Sequence, residues 1–238
     1  MNTCLHLGIQ GQPYNIWKAD PNTRRYRNEL LRYFQLLRMI PKGISQILDI
    51  GCGTGYMSVL LAKAGMKVIA LDIRKENLAC FEAMAKTYKI RQVHGDLFQM
   101  HFPPVDALLC QEVLEHIEDV EKALHKMKEF LRPGAWALFC VPYQENLDAK
   151  QVQCPQCGQW IHKNGHLHSF TESTFSALLK STGYRIQQVQ KIVNKRTVKW
   201  TTQFHIPIHH GVLWFDQIVN ACFPHKSAYL AVLTQKPK

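Results

Sequence analysis

The sequence is short of acids and has no long apolar run. Its 238 residues carry 18 Asp and Glu against 29 Lys and Arg, a formal net charge of +11. No stretch is apolar for long enough to cross a bilayer, and no basic start followed by an apolar run marks a secretory leader. These absences speak against membrane insertion and set the expectation of a soluble, cytoplasmic protein. Internal repeats, low-complexity tracts and the motifs of RNA-binding modules are also missing. The eight cysteines do not read as a disulfide framework, because Cys52, Cys80, Cys110 and Cys140 fall in core-like runs or in a glycine loop. Buried thiols behave as small hydrophobes, so a reducing compartment is the simpler reading.

What is present begins with an apolar content of 46%, ample for a core, in a length that suits one domain. The most informative stretch is Ile47-Leu48-Asp49-Ile50-Gly51-Cys52-Gly53-Thr54-Gly55. Ile47 to Ile50 reads as a buried strand, and Met57, Leu60, Leu61 and Ala64 as one face of a helix from about Thr54. Between them, glycines at alternate positions let the backbone turn sharply and approach a ligand. Strand, glycine loop and helix make a nucleotide cradle at the carboxyl end of a parallel strand. A dinucleotide fingerprint requires G-x-G-x-x-G, whereas here the third glycine comes one residue early and Tyr56 takes the last position.

Further strands follow in order. Lys67 to Asp72 ends in an acid about 20 residues after the glycines, where a carboxylate can accept both hydroxyls of a ribose. Val93-His94-Gly95-Asp96-Leu97 comes next, then Val105 to Cys110 leading into Gln111-Glu112-Val113-Leu114-Glu115-His116. Leu131-Arg132-Pro133-Gly134 is expected to close a helix ahead of a fifth strand, Ala135 to Val141. The form D-x-G-x-G-x-G and the order of these pieces over residues 44–143 closely resemble class I S-adenosylmethionine-dependent methyltransferases of the type 11/12 kind.

That resemblance implies an α/β, Rossmann-like, doubly wound sheet of seven strands, mostly parallel with the last antiparallel. It implies S-adenosylmethionine as cofactor, held by Asp49, Gly51, Cys52, Gly53, Gly55, Asp72, Ile73, Asp96, Leu97 and Gln111, with Asp96 against the adenine amino group. Residues 1–43 form an N-terminal segment and helix, capped at Asn22-Thr23 and running to about Met39. Residues 44–238 form the domain itself, with insertions at 144–170 and 194–227. Thr171 to Thr182 reads as a helix, and Arg185 to Val193 and Ala228 to Thr234 as the last strands. Tyr14 and Trp17 stand ahead of the core, as packing aromatics or as a cover over the cofactor.

Cys154-Pro155-Gln156-Cys157-Gly158, with His162 and His166, gives C-x2-C-x4-H-x3-H, a ligand set that suits structural zinc; His168 is an alternative fourth ligand. Glu112, Glu115 and His116 stand where a base would serve an oxygen or nitrogen acceptor, or where they merely begin the next helix. E-x-x-E-H also resembles the metal-binding set of small-RNA 3′-terminal 2′-O-methyltransferases and of ubiquinone-pathway O-methyltransferases, with His166 or His168 as the later histidine. No N-P-P-Y-type segment or Pro-Cys nucleophile follows the fourth strand, which disfavours amino methylation of nucleic acid and cytosine C5 chemistry.

A small-molecule acceptor is therefore expected first. RNA 2′-O-methyl transfer and a non-catalytic cofactor-binding subunit stand as alternatives. Charge keeps a nucleic-acid partner open: Arg24, Arg25, Arg27, Arg32 and Arg38 crowd the first helix. From Arg185 onward Lys191, Lys195, Arg196, Lys199 and Lys226 face a single acid, Asp216.

Overall fold

A computed structural model describes residues 14–155 and 157–238. Residues 1–13 of the expected N-terminal segment therefore lie outside the described residues. The first helix, α1 (Arg24–Met39), is capped by Thr23, whose hydroxyl accepts from Tyr26 N at 3.2 Å. Its buried stripe includes Leu31, Leu36 and Met39 but also Arg27, Arg32 and Gln35.

Seven strands form one sheet in the order β3-β2-β1-β4-β5-β9-β8. These are β1 (Gln46–Ile50), β2 (Lys67–Asp72), β3 (Arg91–His94), β4 (Val105–Gln111), β5 (Leu131–Pro142), β8 (Arg185–Asn194) and β9 (Ser227–Gln235). The first five pair in parallel, and β9 runs antiparallel to both β5 and β8. Helices cover both faces, so the strands read as continuous apolar runs. Alternation within a strand sends Ile47 and Leu109 to one core and Leu48, Ile50 and Leu108 to the other.

The fifth strand begins earlier than Ala135. The helix α5 (Val120–Glu129) ends first, and Leu131 pairs with Val105 before a register shift brings Ala107 opposite Trp136. Gly134, at φ +77°, makes the irregular turn that allows this. The remaining helices are α2 (Tyr56–Lys63), α3 (Lys75–Ala79), α4 (Glu82–Thr87), α6 (Glu172–Ser181), α7 (Lys195–Gln203) and α8 (His210–Cys222). Thr171 caps α6 in a reciprocal capping box with Thr174. The insertion expected at 144–170 contains a small hairpin, β6 (Gln151–Gln153) and β7 (Trp160–His162); the one at 194–227 is the packed pair α7 and α8.

Candidate active site

The carboxyl ends of β1, β2, β3 and β4 place Asp49, Asp72, Asp96 and Gln111 along one sheet edge. The glycine loop leaves β1 there, tied down by the amides of Gly51 and Cys52, which both donate to Leu71 O at 2.8 and 3.0 Å. Gly51, Gly53 and Gly55 all sit at positive φ. A Cβ on Gly51 would lie 2.2 Å from Val113, and one on Gly55 would lie 2.3 Å from the Phe81 ring. A Cβ on Gly53 would meet nothing within 4 Å, so the loop is packed at both ends and open in the middle. That opening is the room a close-approaching ligand needs.

Asp72 organises the loop from the neighbouring strand. Its carboxylate accepts from Gly53 N at 2.7 Å, Arg74 N at 2.8 Å and Asn77 Nδ2 at 3.0 Å. Ile73 beside it is 65% exposed, a large apolar side chain facing solvent at the strand end. Asp96 accepts from Phe98 N at 2.9 Å, while Leu97 is buried in the core shared with Ile69 and Leu71. Asp49 is fully buried and accepts from Ser58 Oγ at 2.5 Å, but its Oδ1 has no partner. Burial pushes the Asp49 carboxyl up to about 7; the Ser58 hydrogen bond opposes this and the Asp72 charge adds to it. Trp17 donates to Thr54 O at 2.7 Å and packs on Tyr56 at 4.8 Å, with Tyr33 on the other side of Tyr56 at 5.3 Å. Tyr14 instead lies under the Arg25 guanidinium at 4.1 Å.

A second cluster stands past the end of β4. Glu112 holds a positive φ of 55°, unusual for a residue with a Cβ, and pairs with buried Arg32 at 3.2 Å. Both oxygens of fully buried Glu115 lack a hydrogen-bond partner, as do Gln111 Oε1 and Glu112 Oε1. Burial and the neighbouring Glu112 push the Glu115 carboxyl well above the ordinary carboxylate range. Ligand atoms of Glu115, His116 and His166 lie within 4.8 Å of one another.

The histidine tautomers decide what each ring can do. His116 Nδ1 faces Gly165 O at 3.2 Å; a carbonyl only accepts, so Nδ1 carries the proton and Nε2 keeps its lone pair. His166 Nδ1 donates to Glu145, again leaving Nε2 free. His162 is set the other way: its Nδ1 accepts from Asn164 N at 3.3 Å and His166 N at 3.0 Å, placing the proton on Nε2. Burial, helped by His166, holds His116 down to about 4, so it is a neutral imidazole near pH 7. Burial opposes ionisation of Glu145, but hydrogen bonds from His166 and Lys150 outweigh it and hold that carboxyl down to about 2.

The four-ligand set Cys154, Cys157, His162 and His166 is not assembled. His162 and His166 gather around Glu145, and neither cysteine joins a metal-capable group of three among the described residues. Cys154 is buried at the base of a tight turn, with Gly158 N donating to its carbonyl at 2.8 Å, whereas Cys157 is exposed. The proton on His162 Nε2, which is buried 3.7 Å from Glu145, likewise removes the lone pair a metal would need. His168 donates from Nε2 to Ile117 O at 2.8 Å and joins no such group.

Sequence reasoning missed Glu145, Arg32, Ser58 and Asn77. Glu145 follows the end of β5 at the ligand edge, which is a usable signal. Arg32 shows only as a charge on the apolar stripe of α1.

The chain matches a family model described as a methyltransferase domain over residues 20–189. It is 30% identical over 118 residues to a ubiquinone biosynthesis O-methyltransferase of Hydrogenovibrio crunogenus, a match covering 48% of this chain and 47% of that protein. The protein of the same name from Rickettsia typhi is 26% identical over 176 residues, covering 69% of this chain and 70% of the relative. The chain thus spans from about half to about two thirds of the relatives it matches. An S-adenosylmethionine-dependent methyltransferase from Mesorhizobium loti has the same fold, with a TM-score of 0.62 at 19% identity, over 93% of this chain and all of that one. The glycine cradle and the acids on successive strand ends agree with the family match, and this chain belongs to the methyltransferase-domain family.

Proposed function

We propose that the protein moves the methyl group of S-adenosylmethionine to a hydroxyl oxygen of a small organic acceptor, held by a divalent cation on Glu115, His116 and His166. One observation carries this reading. A buried carboxylate with two unpartnered oxygens faces two imidazoles whose remaining lone pairs are on Nε2. An isolated buried carboxylate is costly, and a cation would satisfy it. Glu145 then acts on His166 as an orienting carboxylate, the arrangement that fixes a metal-ligating imidazole.

On the donor side, Gly51, Cys52, Gly53 and Gly55 would hold the cofactor's amino-acid end, with Asp49 facing its ammonium group. Asp72 would take the ribose hydroxyls, Ile73, Asp96 and Leu97 the adenine, and Gln111 the region between donor and acceptor. Bound S-adenosylmethionine supplies a methyl already activated on a sulfonium, so alignment is the main contribution left to the chain. A divalent cation, when bound, lowers the pKa of a coordinated hydroxyl. Glu112 is the adjacent carboxylate able to take that proton. The structural zinc expected on the cysteines is not carried into this reading, because its two histidines are committed elsewhere. The relatives named as ubiquinone biosynthesis O-methyltransferases support an oxygen on a small molecule as the acceptor.

The test is methyl transfer from labelled cofactor to catechols and phenols, to amines, and to a short RNA, with and without chelator. Transfer to a phenolic hydroxyl that chelator removes and Mn²⁺ or Mg²⁺ restores is the expected result. Transfer that survives chelation, or that goes to amines, overturns it. Transfer to RNA alone moves the acceptor to a ribose hydroxyl at the same site. Cofactor binding with no transfer to any acceptor would favour a regulatory subunit.

A further inference from the structure

Large hydrophobic side chains are exposed at few places, and they are not scattered. Of the seven among the described residues, five lie on α7, at its C-cap or on α8: Trp200, Phe204, Trp214, Phe215 and Ile218. The other two are Ile73 at the cofactor cradle and Trp160 in the hairpin. Trp200 on α7 and Phe204 at its C-cap are four residues apart; on α8, Trp214, Phe215 and Ile218 have helical spacing and share a stripe. The stripes meet, since Trp200 packs on Phe204 at 6.2 Å and on Phe215 at 5.2 Å. The result is one continuous apolar surface.

The helices beneath it are firmly held. Thr197, Val198 and Thr201 are buried on α7, and Val212, Leu213, Asp216 and Asn220 on α8. Asp216 accepts from Val193 N at 2.9 Å and Asn194 N at 2.8 Å, and Gln35 of α1 donates to Leu213 O at 2.8 Å. Core packing therefore does not require the outer stripe, which leaves its composition unexplained by folding.

Charge indicates what covers it. Asp216, fully buried, is the only acid from residue 185 to 238. Lys195, Arg196, Lys199 and Lys226 are all exposed in this insertion. An apolar surface on an insertion whose exposed charges are all basic matches a lipid bilayer carrying anionic headgroups. Single-stranded nucleic acid fits less well, because it stacks bases on free ring faces. Here Trp200, Phe204 and Phe215 are tilted or edge-on against each other, and aliphatic Ile218 extends the patch.

Position ties the surface to the chemistry. Since β8 and β5 each pair antiparallel with β9, they run in the same direction. Asn194 therefore ends β8 at the same sheet edge where Pro142 ends β5, and Ile192 and Pro142 both pair with Tyr229. The Arg32 guanidinium lies 4.8 Å over the Tyr229 ring and pairs with Glu112.

We propose that α7 and α8 form a docking surface for an anionic lipid bilayer. Trp200, Phe204, Trp214, Phe215 and Ile218 enter the headgroup layer, and the surrounding bases contact lipid phosphates. No described helix is long and apolar enough to cross a membrane, so the association is peripheral. It turns the acceptor edge of the sheet toward the bilayer.

The full chain would be sedimented with vesicles of pure phosphatidylcholine and of equal parts phosphatidylcholine and phosphatidylglycerol. Two double variants would accompany it, Trp214→Ser with Ile218→Ser and Lys195→Gln with Lys199→Gln. The expected result is binding to anionic vesicles only, weakened by salt. Affinity falls about fivefold for each base removed and about tenfold or more for the apolar pair, with unchanged melting temperatures and cofactor binding. Wild-type protein that stays in the supernatant with anionic vesicles overturns the proposal, as do variants that bind like wild type. Loss of single-stranded RNA binding in the same variants, without vesicle binding, overturns it in favour of nucleic acid. Vesicle binding is read without any acceptor, so its failure is separate from failure of the cation-assisted reading.

Discussion

The two ends of the active site are built differently. On the donor side the loop satisfies itself: Asp72 accepts three hydrogen bonds, and the Gly51 and Cys52 amides share the Leu71 carbonyl. On the acceptor side Gln111 Oε1, Glu112 Oε1 and both oxygens of Glu115 have no partner. The loop's own hydrogen bonds are in place before a ligand arrives. The second is in deficit, and a deficit of buried negative groups beside lone pairs indicates what must be supplied. A change on the acceptor side should therefore affect chemistry and leave cofactor affinity alone, while a change on the donor side should do the reverse.

The largest effect is expected from Glu115→Gln. It removes the charge that a cation would neutralise while keeping the shape of the side chain. Methyl transfer should fall by ~10²-fold or more, with the affinity for S-adenosylhomocysteine within about twofold of wild type. Calorimetry with Mn²⁺ should lose its signal in the same variant. Equal losses of rate and cofactor affinity would erase the division between the two ends.

Glycine substitutions come next, because they separate folding from binding within a single loop. Gly55→Ala drives a Cβ to 2.3 Å from the Phe81 ring in the core and should cost about 2–4 kcal/mol in denaturant unfolding. Gly53→Ala meets open space and should cost only about 1 kcal/mol, from its left-handed backbone. Its cost should appear instead in cofactor binding, about tenfold, because the methyl group occupies the approach path. If the two variants lose stability equally, the opening over Gly53 is not what the loop is built for.

Glu145→Ala tests the orienting carboxylate. It should weaken divalent-cation binding by about 10–100-fold without changing S-adenosylhomocysteine affinity. Unchanged cation binding would reduce Glu145 to a structural partner of His166 and Lys150.

The contrast between the two ends also explains what could be read from the sequence. The donor half is local: strand, glycines and helix are contiguous, and the acids of β2 and β3 come at fixed intervals. The geometry of Asp49, Asp72 and the three glycines was accordingly legible. The acceptor half is assembled from α1, the end of β4, the end of β5 and the segment after the hairpin. Spacing alone could pair His162 and His166 with Cys154 and Cys157, since C-x2-C suggests metal wherever it occurs. It could not show that Glu145 would reach His166, or that the backbone of Asn164 and His166 would claim the Nδ1 lone pair of His162. The same limit applied to the 194–227 insertion. Its aromatics are visible in the sequence, but that Trp200, Phe204 and Trp214 stand exposed depends on how α7 and α8 dock on α1.

The smallest expected effect is a pH dependence, and it tests the unsatisfied carboxylate oxygen on the donor side. Asp49 Oδ1 has no partner, and burial raises this carboxyl from its ordinary 3.8 to about 7. Without cofactor, the folded protein takes up this proton as pH falls through about 7, well before the unfolded chain does. The group therefore favours the fold below its ordinary value, and that contribution is lost as pH rises through about 7. A cofactor ammonium facing Asp49 favours the ionised form and reverses the preference. Affinity for S-adenosylhomocysteine should then be flat above about pH 7 and fall below it, by up to about tenfold per pH unit. Calorimetry from pH 5.5 to 8 measures the slope. Asp49→Asn should bind more weakly at pH 8 and show no slope; a slope that persists in this variant would place the titrating group elsewhere in the cradle.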